Sequence, residues 1–220
     1  MAQPRVTLIV AGPKSSDDRP THDANGPMLQ GLIRRDGGVV SHIVPDAATP
    51  AAMIAAMAGA PADAVLVVGR TGTGADDIAP IALGEAGALS IHGIALRPGG
   101  SAGLGLLGDV PVVLLPGDPL SCFSAYEMLA GRLIRRLGGR DPALPHPLRE
   151  LEVARKIVSA VGLVDLCQVR CVDDRAEPIG SAGSGGLRSA VQADGFVIVP
   201  ATLEGYAPGA RVAVYMYAVN

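Results

Sequence analysis

Residues 64–77 read Ala64-Val65-Leu66-Val67-Val68-Gly69-Arg70-Thr71-Gly72-Thr73-Gly74-Ala75-Asp76-Asp77, an apolar run that empties into a glycine-rich turn and then two carboxylates. Consecutive apolar residues, mostly β-branched, match a strand buried on both faces, as a central parallel strand is. Three glycines within six residues let the backbone approach a ligand closely and leave amide N–H groups to face an anion. A glycine turn also joins a strand to a helix with no ligand involved. At this point the floor of a ligand site and a plain connector are both open readings.

Working outward toward the N-terminus, residues 6–10 read as another buried strand, followed by a polar loop at 11–20. Asn25 is placed to cap a helix and Pro27 to sit in its first turn; Met28, Leu29, Leu32 and Ile33 form its apolar stripe, and Gly37-Gly38 ends it. A strand at 39–44 follows. Thr49-Pro50 then supplies a cap and a first-turn proline for an Ala- and Met-rich helix that ends near Gly59. The order is β-α-β-α-β, with connections long enough for right-handed crossovers, which predicts parallel strands. Ligands in such sheets lie outside the carboxyl ends of the strands, here the loops after Val10 and Val68.

Toward the C-terminus, a helix is expected within 76–84, with Pro80 limiting its regularity. Residues 89–96 read as a strand delivering Arg97-Pro98-Gly99-Gly100 to the same edge, and 104–107 as a short hairpin strand. Residues 112–115 repeat the opening pattern and run straight into Pro116-Gly117-Asp118-Pro119-Leu120-Ser121. Asp118 is a good N-cap and Pro119 a good first residue for a helix to about Leu137, closed by Gly138-Gly139. A helix start of this kind suits an oxyanion or phosphate; an ordinary capped helix with a solvated Ser121 accounts for the residues equally well.

Pro142, Pro145 and Pro147 mark a boundary, giving an α/β domain over 1–141 and a β-rich domain over 148–220. In the second, strands are expected at 151–154, 163–172, 196–199 and 211–219. Val212, Val214 and Met216 alternate with Ala213, Tyr215 and Tyr217, as along a half-buried strand. Residues 181–186, Ser-Ala-Gly-Ser-Gly-Gly, form either a flexible loop or a second anion-accepting loop. The fold class is α/β: a doubly wound, mostly parallel sheet with helices on both faces, followed by a small β-barrel-like domain.

Composition narrows the function classes. The 220 residues are 49% hydrophobic but only 3% aromatic, with no Trp, so Ala, Val, Leu and Ile must build the core. So few stacking platforms argue against single-stranded nucleic acid as a partner. A net charge of −3 without a long basic run argues against duplex nucleic acid and anionic membrane, and any anion site must be local. No run approaches the roughly 20 apolar residues of a membrane span, and the apolar start at 6–10 is too short for a signal peptide. Three cysteines, Cys122, Cys167 and Cys171, are not a disulfide framework. A soluble, cytoplasmic protein is the expectation. Cys167 and Cys171 are able to share one strand face, where core packing is favoured over zinc.

The residues exclude several chemistries. Without Gly-Lys-Ser/Thr the glycines at 69–74 are not a P-loop, and their spacing is not that of a dinucleotide fingerprint. No G-x-S-x-G elbow occurs, and His22, His42, His92 and His146 lie beside no nucleophile, so His42 and His92 read as structural strand histidines. What remains is an anion-cradling edge with carboxylates at Asp23, Asp76, Asp77 and Asp118. Hard oxygen ligands beside phosphate loops suit a bridging Mg²⁺, and solvated loop residues or helix caps are the competing reading.

The order of these loops resembles the C-terminal part of the molybdopterin molybdotransferases, the family that includes the E domain of gephyrin. The resemblance runs through nearly the whole chain. Gly69 to Asp77 is similar to the family's Gly-Gly-Val-Ser-x-Gly loop and acidic segment, Arg97-Pro98-Gly99-Gly100-Ser101 to its Lys-Pro-Gly-Lys-Pro loop, and Asp23-Ala24-Asn25 to its Asp-Ser-Asn. Leu115-Pro116-Gly117-Asp118-Pro119-Leu120-Ser121 resembles its Leu-Pro-Gly-Asn-Pro-x-Ser turn, the most specific of these matches. In the β-rich domain, Gly183-Ser184-Gly185 and Ala193-Asp194-Gly195-Phe196 resemble its Gly-Ser-Gly and Ala-Asp-Gly segments.

The resemblance implies molybdenum insertion into molybdopterin from molybdate, with an adenylylated molybdopterin intermediate and Mg²⁺. It further implies a transferase with Asp77, Asp118 and Asp23 as catalytic carboxylates, Asp77 and Asp23 as metal ligands, other molybdenum cofactor proteins as partners, and a homodimer. The pterin phosphate would be gripped by Gly69, Arg70, Thr71, Gly72, Thr73, Gly74, Arg97, Pro98, Gly99, Pro116, Gly117 and Ser121. Three departures favour the alternative, a non-catalytic molybdopterin or molybdenum-cofactor carrier or sensor. Ala11-Gly12-Pro13-Lys14-Ser15 stands where the family has an acidic Thr-Gly-Asp-Glu loop, Gly100 replaces a lysine, and Arg70 brings a cation into the glycine loop. The family's two N-terminal domains have no counterpart in this sequence.

Overall fold

The computed structural model describes residues 2–11, 24–45, 47, 49–59, 61–179 and 186–217. The chain divides into two compact units, Met1–Ile94 with Gly99–Leu144, and Ala95–Pro98 with Pro145–Asn220.

The first unit contains β1 (Arg5–Val10), α1 (Asn25–Arg35), β2 (Val39–Pro45), α2 (Pro50–Ala58), β3 (Ala64–Val68), α3 (Ala79–Ala86) and β4 (Ala88–His92). After β5 (Leu96–Arg97), which belongs to the other unit, come β6 (Gly103–Leu107), β7 (Val110–Leu115), α4 (Pro119–Ala125), a π-helical segment Tyr126–Ala130, and α5 (Gly131–Leu137). The sheet order is β2-β1-β3-β7-β6-β4. The first four strands run parallel, whereas β6 and β4 join as an antiparallel edge. All five residues of β3 are buried, as expected of a central strand covered on both sides.

Helices cover both faces. Met53 and Met57 of α2 and Ala82 and Leu83 of α3 pack on Ile9, Val65, Val67, Val112 and Leu114. On the opposite face α1 packs on β1 and the helical run from α4 through the π segment packs on β7. Thr49 caps α2, its hydroxyl accepting from the Ala52 amide at 3.2 Å. Asn25 does not cap α1. Ala24 holds that position, and the Asn25 side chain reaches Gly117 instead. The strand expected over 89–96 breaks at Gly93, which has φ +82°, so its last residues leave the first sheet altogether.

Where α1 ends, Asp36, Glu127 and Arg135 are buried together, and the half-buried Arg35 joins them. Asp36 accepts from Arg135 at 2.7 Å and from the Tyr126 hydroxyl at 2.9 Å, and Arg35 bridges Asp36 and Glu127. Burial, then Asp36, holds the Tyr126 phenol well above its ordinary range. Burial alone would lower the Arg35 pKa, but its bonds to Glu127 and Asp36 raise it on balance. The π segment falls within this network, and no apolar periodicity announces it.

The second unit holds β8 (Leu148–Val153), β9 (Ile157–Val158), β10 (Val164–Val172), β11 (Arg175–Pro178), α6 (Gly186–Gln192), β12 (Gly195–Val199), β13 (Gly205–Tyr206) and β14 (Arg211–Met216). The order β11-β8-β14-β12-β10 closes on itself through a β10–β11 pairing, forming a five-stranded barrel with β5 added alongside β10. Asp173 and Asp174, both at positive φ, turn β10 tightly into β11. Val153, Val169, Val197, Val199, Val212 and Val214 fill the interior. Outside, Tyr215 stacks on Phe196 with centroids 5.2 Å apart.

Cys167 and Cys171 pack against this barrel core, and the Cys171 sulfur lies 3.9 Å from that of Met216. Burial, aided by Asp165, pushes the Cys167 thiol up to about 12. Native Cys167 should therefore react with iodoacetamide at pH 8 on the order of 1000-fold more slowly than in the denatured chain. Comparing peptide mass spectra of the two samples over time checks this, and equal rates would refute it.

Candidate functional site

The loop after β3 is shaped by specific contacts. Gly69 has φ +84° and its amide donates to the Leu115 carbonyl at 3.0 Å; a Cβ there would stand 2.3 Å from the Ala11 carbonyl oxygen. Only glycine lets the β1 and β3 exits come this close. Arg70, half-buried, also has positive φ, and its carbonyl accepts from the Ala79 amide at 3.0 Å. Thr71 is 1% exposed and its hydroxyl donates to the Leu115 carbonyl at 3.0 Å. Asp77 folds back so that Oδ2 accepts from the Gly74 amide at 2.7 Å. Gly72 leaves room for that carboxylate, since a Cβ at 72 would lie 2.5 Å from Oδ2. The amides of Gly72 and Thr73 have no backbone acceptor among the described residues.

The loop after β7 lies against it. A Cβ added to Gly117 would come 3.4 Å from the Gly69 Cα. The Asn25 amide nitrogen donates to the Gly117 carbonyl at 2.8 Å, tying the start of α1 to this turn. Asp118 caps α4, its Oδ2 accepting from the Ser121 amide at 2.9 Å and the Ser121 hydroxyl at 2.7 Å. The fold thus brings Gly69 to Gly74, Asp77 and Pro116 to Ser121 together at the carboxyl ends of adjacent parallel strands, where open α/β sheets place ligands. Each of the two carboxylates has Oδ2 engaged in closing its own turn.

Asp23, Gly12 to Ser15 and Gly183 to Gly185 fall outside the described residues. Arg97 and Pro98 belong to the second unit, where the Arg97 guanidinium donates to Oδ2 of the buried Asp165 from Nε at 3.1 Å and from Nη2 at 2.5 Å. Gly99, with φ +123°, is in the first unit and its carbonyl accepts from Ala102. His92 is the residue that strand patterning passed over: its Nε2 lies 2.7 Å from the Thr71 carbonyl oxygen. The pointer in the sequence was a polar ring in an apolar strand run, directly before a glycine. Asp165, a carboxylate inside an apolar strand run, is a similar pointer, toward Arg97.

Among the described residues no group of three or more His, Cys, Asp or Glu side chains is placed to hold a metal ion. Mg²⁺ needs only one or two carboxylates when phosphate and water complete its shell. Half-buried Asp77, with Oδ2 on an amide, fits as one such donor. Among the described residues no helix is long and apolar enough to cross a membrane.

Glycine-bearing loops at the exits of neighbouring parallel strands define an open α/β domain of the kind that places ligands at this edge. The chain belongs to the molybdopterin-binding domain family: the family model described as a probable molybdopterin binding domain matches residues 9–136, more than half of its length. Residues 150–217 match the MoeA C-terminal region, domain IV. A Methanocaldococcus jannaschii protein named for molybdopterin biosynthesis is 33% identical over 121 residues, 55% of this chain and 28% of that protein. The solved molybdopterin biosynthesis MoeA protein of Pyrococcus horikoshii superposes with TM-score 0.78 at 28% identity, covering 97% of this chain and 54% of its own. A molybdenum cofactor biosynthesis protein of Pyrococcus furiosus gives 0.75 at 25% identity, covering 99% of this chain and 69% of its own. The chain therefore spans 28% and 54%, respectively, of the first two of these relatives.

Proposed function

We propose that the protein binds molybdopterin through its phosphate and acts in molybdenum cofactor biosynthesis. The observation that carries this reading is the pair of adjoining loops after β3 and β7, where Gly117 packs against Gly69 and the amides of Gly72 and Thr73 have no backbone acceptor among the described residues. Oriented amides make an anion-binding concavity that needs no net positive charge, which suits a chain of net charge −3. In this reading Gly69 to Gly74, Pro116, Gly117 and Ser121 hold the phosphate end, and Arg97 with Pro98 and Gly99 form the further phosphate-gripping segment.

The finer proposal is molybdate insertion into adenylylated molybdopterin, with Asp77 and Asp118 as catalytic carboxylates joined by Asp23, and Mg²⁺ held by Asp77 and Asp23 against the phosphate. The ion would supply charge neutralisation there. A homodimer, cytoplasmic residence and contact with other molybdenum cofactor proteins belong to the same proposal. The second reading, a non-catalytic carrier or sensor, is favoured by the Oδ2 atoms of Asp77 and Asp118 already serving their own turns and by Gly100 in a lysine position.

Anaerobic titration with molybdopterin tests the binding reading, with saturation at micromolar concentration expected; absence of binding there overturns it. Incubation with adenylylated molybdopterin, molybdate and Mg²⁺, followed by assay for active cofactor, separates the two finer readings. Product formation is expected of the transferase, and binding without product assigns the carrier.

A further inference from the structure

His92 ends β4 and is half-buried, with Nε2 2.7 Å from the Thr71 carbonyl oxygen. A carbonyl only accepts, so Nε2 carries the hydrogen, and it does so whether or not Nδ1 is protonated. Thr71 is pinned a second time by its own hydroxyl on Leu115. A trans peptide is planar with its C=O and N–H pointing opposite ways, so a fixed Thr71 carbonyl also fixes the direction of the Gly72 amide, away from His92. His92 pairs across the ladder with Gly103, where a Cβ would lie 2.9 Å from the Ile91 carbonyl oxygen, so glycine there lets the two strands approach.

We propose that His92 is a positioning residue of the glycine loop, holding the Thr71–Gly72 peptide so that the Gly72 amide is aimed at a bound oxyanion. This rests on the phosphate-binding reading of the loop. Edge strand β4, which neither begins nor ends at that loop in sequence, thereby takes part in ligand recognition through one side chain.

The test compares His92→Leu, His92→Gln and His92→Asn in anaerobic molybdopterin titration, with thermal unfolding measured alongside. Leu is expected to weaken binding about tenfold, the scale of one lost hydrogen bond. Gln presents its amide nitrogen near the Nε2 position and is expected to restore affinity to within about twofold of wild type. Asn reaches only as far as Nδ1 and should resemble Leu. Wild-type affinity in His92→Leu, or equal affinities for Gln and Asn, overturns the assignment, and the Gln–Asn comparison decides even if Leu lowers the thermal midpoint. If wild type fails to bind molybdopterin, that reading falls while the same series titrated with inorganic pyrophosphate decides the role of His92. Wild type binding neither probe overturns both.

Discussion

Asp36→Ala is expected to destabilise the α/β unit by about 3–5 kcal/mol, the range for removing one partner from a buried ionic network. The carboxylate is fully buried and accepts from Arg135, Arg35 and the Tyr126 hydroxyl. Arg135, with a side chain 5% exposed, would be left without its counter-charge, and the Tyr126 hydroxyl without an acceptor. Arg35 would lose less, because it also bonds Glu127 at 2.6 Å. Urea unfolding is the measurement, and a loss under about 1 kcal/mol would show that the network is dispensable. Exchanging Asp36 and Arg135 together for Leu should cost less than either single exchange, since both desolvated charges go at once. The phenol adds a pH signature. Folded Tyr126 holds its proton to higher pH than the unfolded side chain, so its contribution is complete below the unfolded value and declines as pH rises past about 10.

Gly72→Val is expected to weaken molybdopterin binding by about 10- to 100-fold while leaving the fold intact. At position 72 the obstacle is space: an added Cβ would stand 2.5 Å from Oδ2 and 3.1 Å from Cγ of Asp77. The carboxylate must then leave the Gly74 amide, opening the turn and losing a charge-assisted hydrogen bond of about 1.5–3 kcal/mol, while the valine methyls crowd the Gly72 amide. Gly84→Ala is the control, since nothing lies within 4 Å of its added Cβ, and it should bind as wild type. Calorimetric titration of both variants provides the measurement. Undiminished affinity in Gly72→Val would remove the glycine loop from the binding site.

Much of the fold is legible in local patterning because the relevant forces are local or periodic. The run at 64–68 is apolar on both faces and becomes the buried centre of the sheet. Thr49-Pro50 and Asp118-Pro119 start helices whose caps form as their chemistry dictates. Val212 and Val214 point into a barrel because strand side chains alternate. The failures are equally physical. Asn25 has the side chain of a cap, yet its amide is drawn to the Gly117 carbonyl 92 positions away. Residues 89–96 read as one strand because propensity carries no information about a break at Gly93 or about the sheet that residues 96–97 join.

For the site, sequence order alone determined that strand exits carry the glycines and acids, since a strand-to-loop transition is written in consecutive residues. Only tertiary structure decided which exits meet. Gly69 and Gly117 approach because β3 and β7 are neighbours in a sheet whose order departs from the order of the chain. Tertiary packing likewise put His92 against Thr71 and Asp36 against Arg135, contacts 21 and 99 positions apart. A local pattern specifies what each segment is able to present. The packing of the sheet and its helices selects which partner it is presented to.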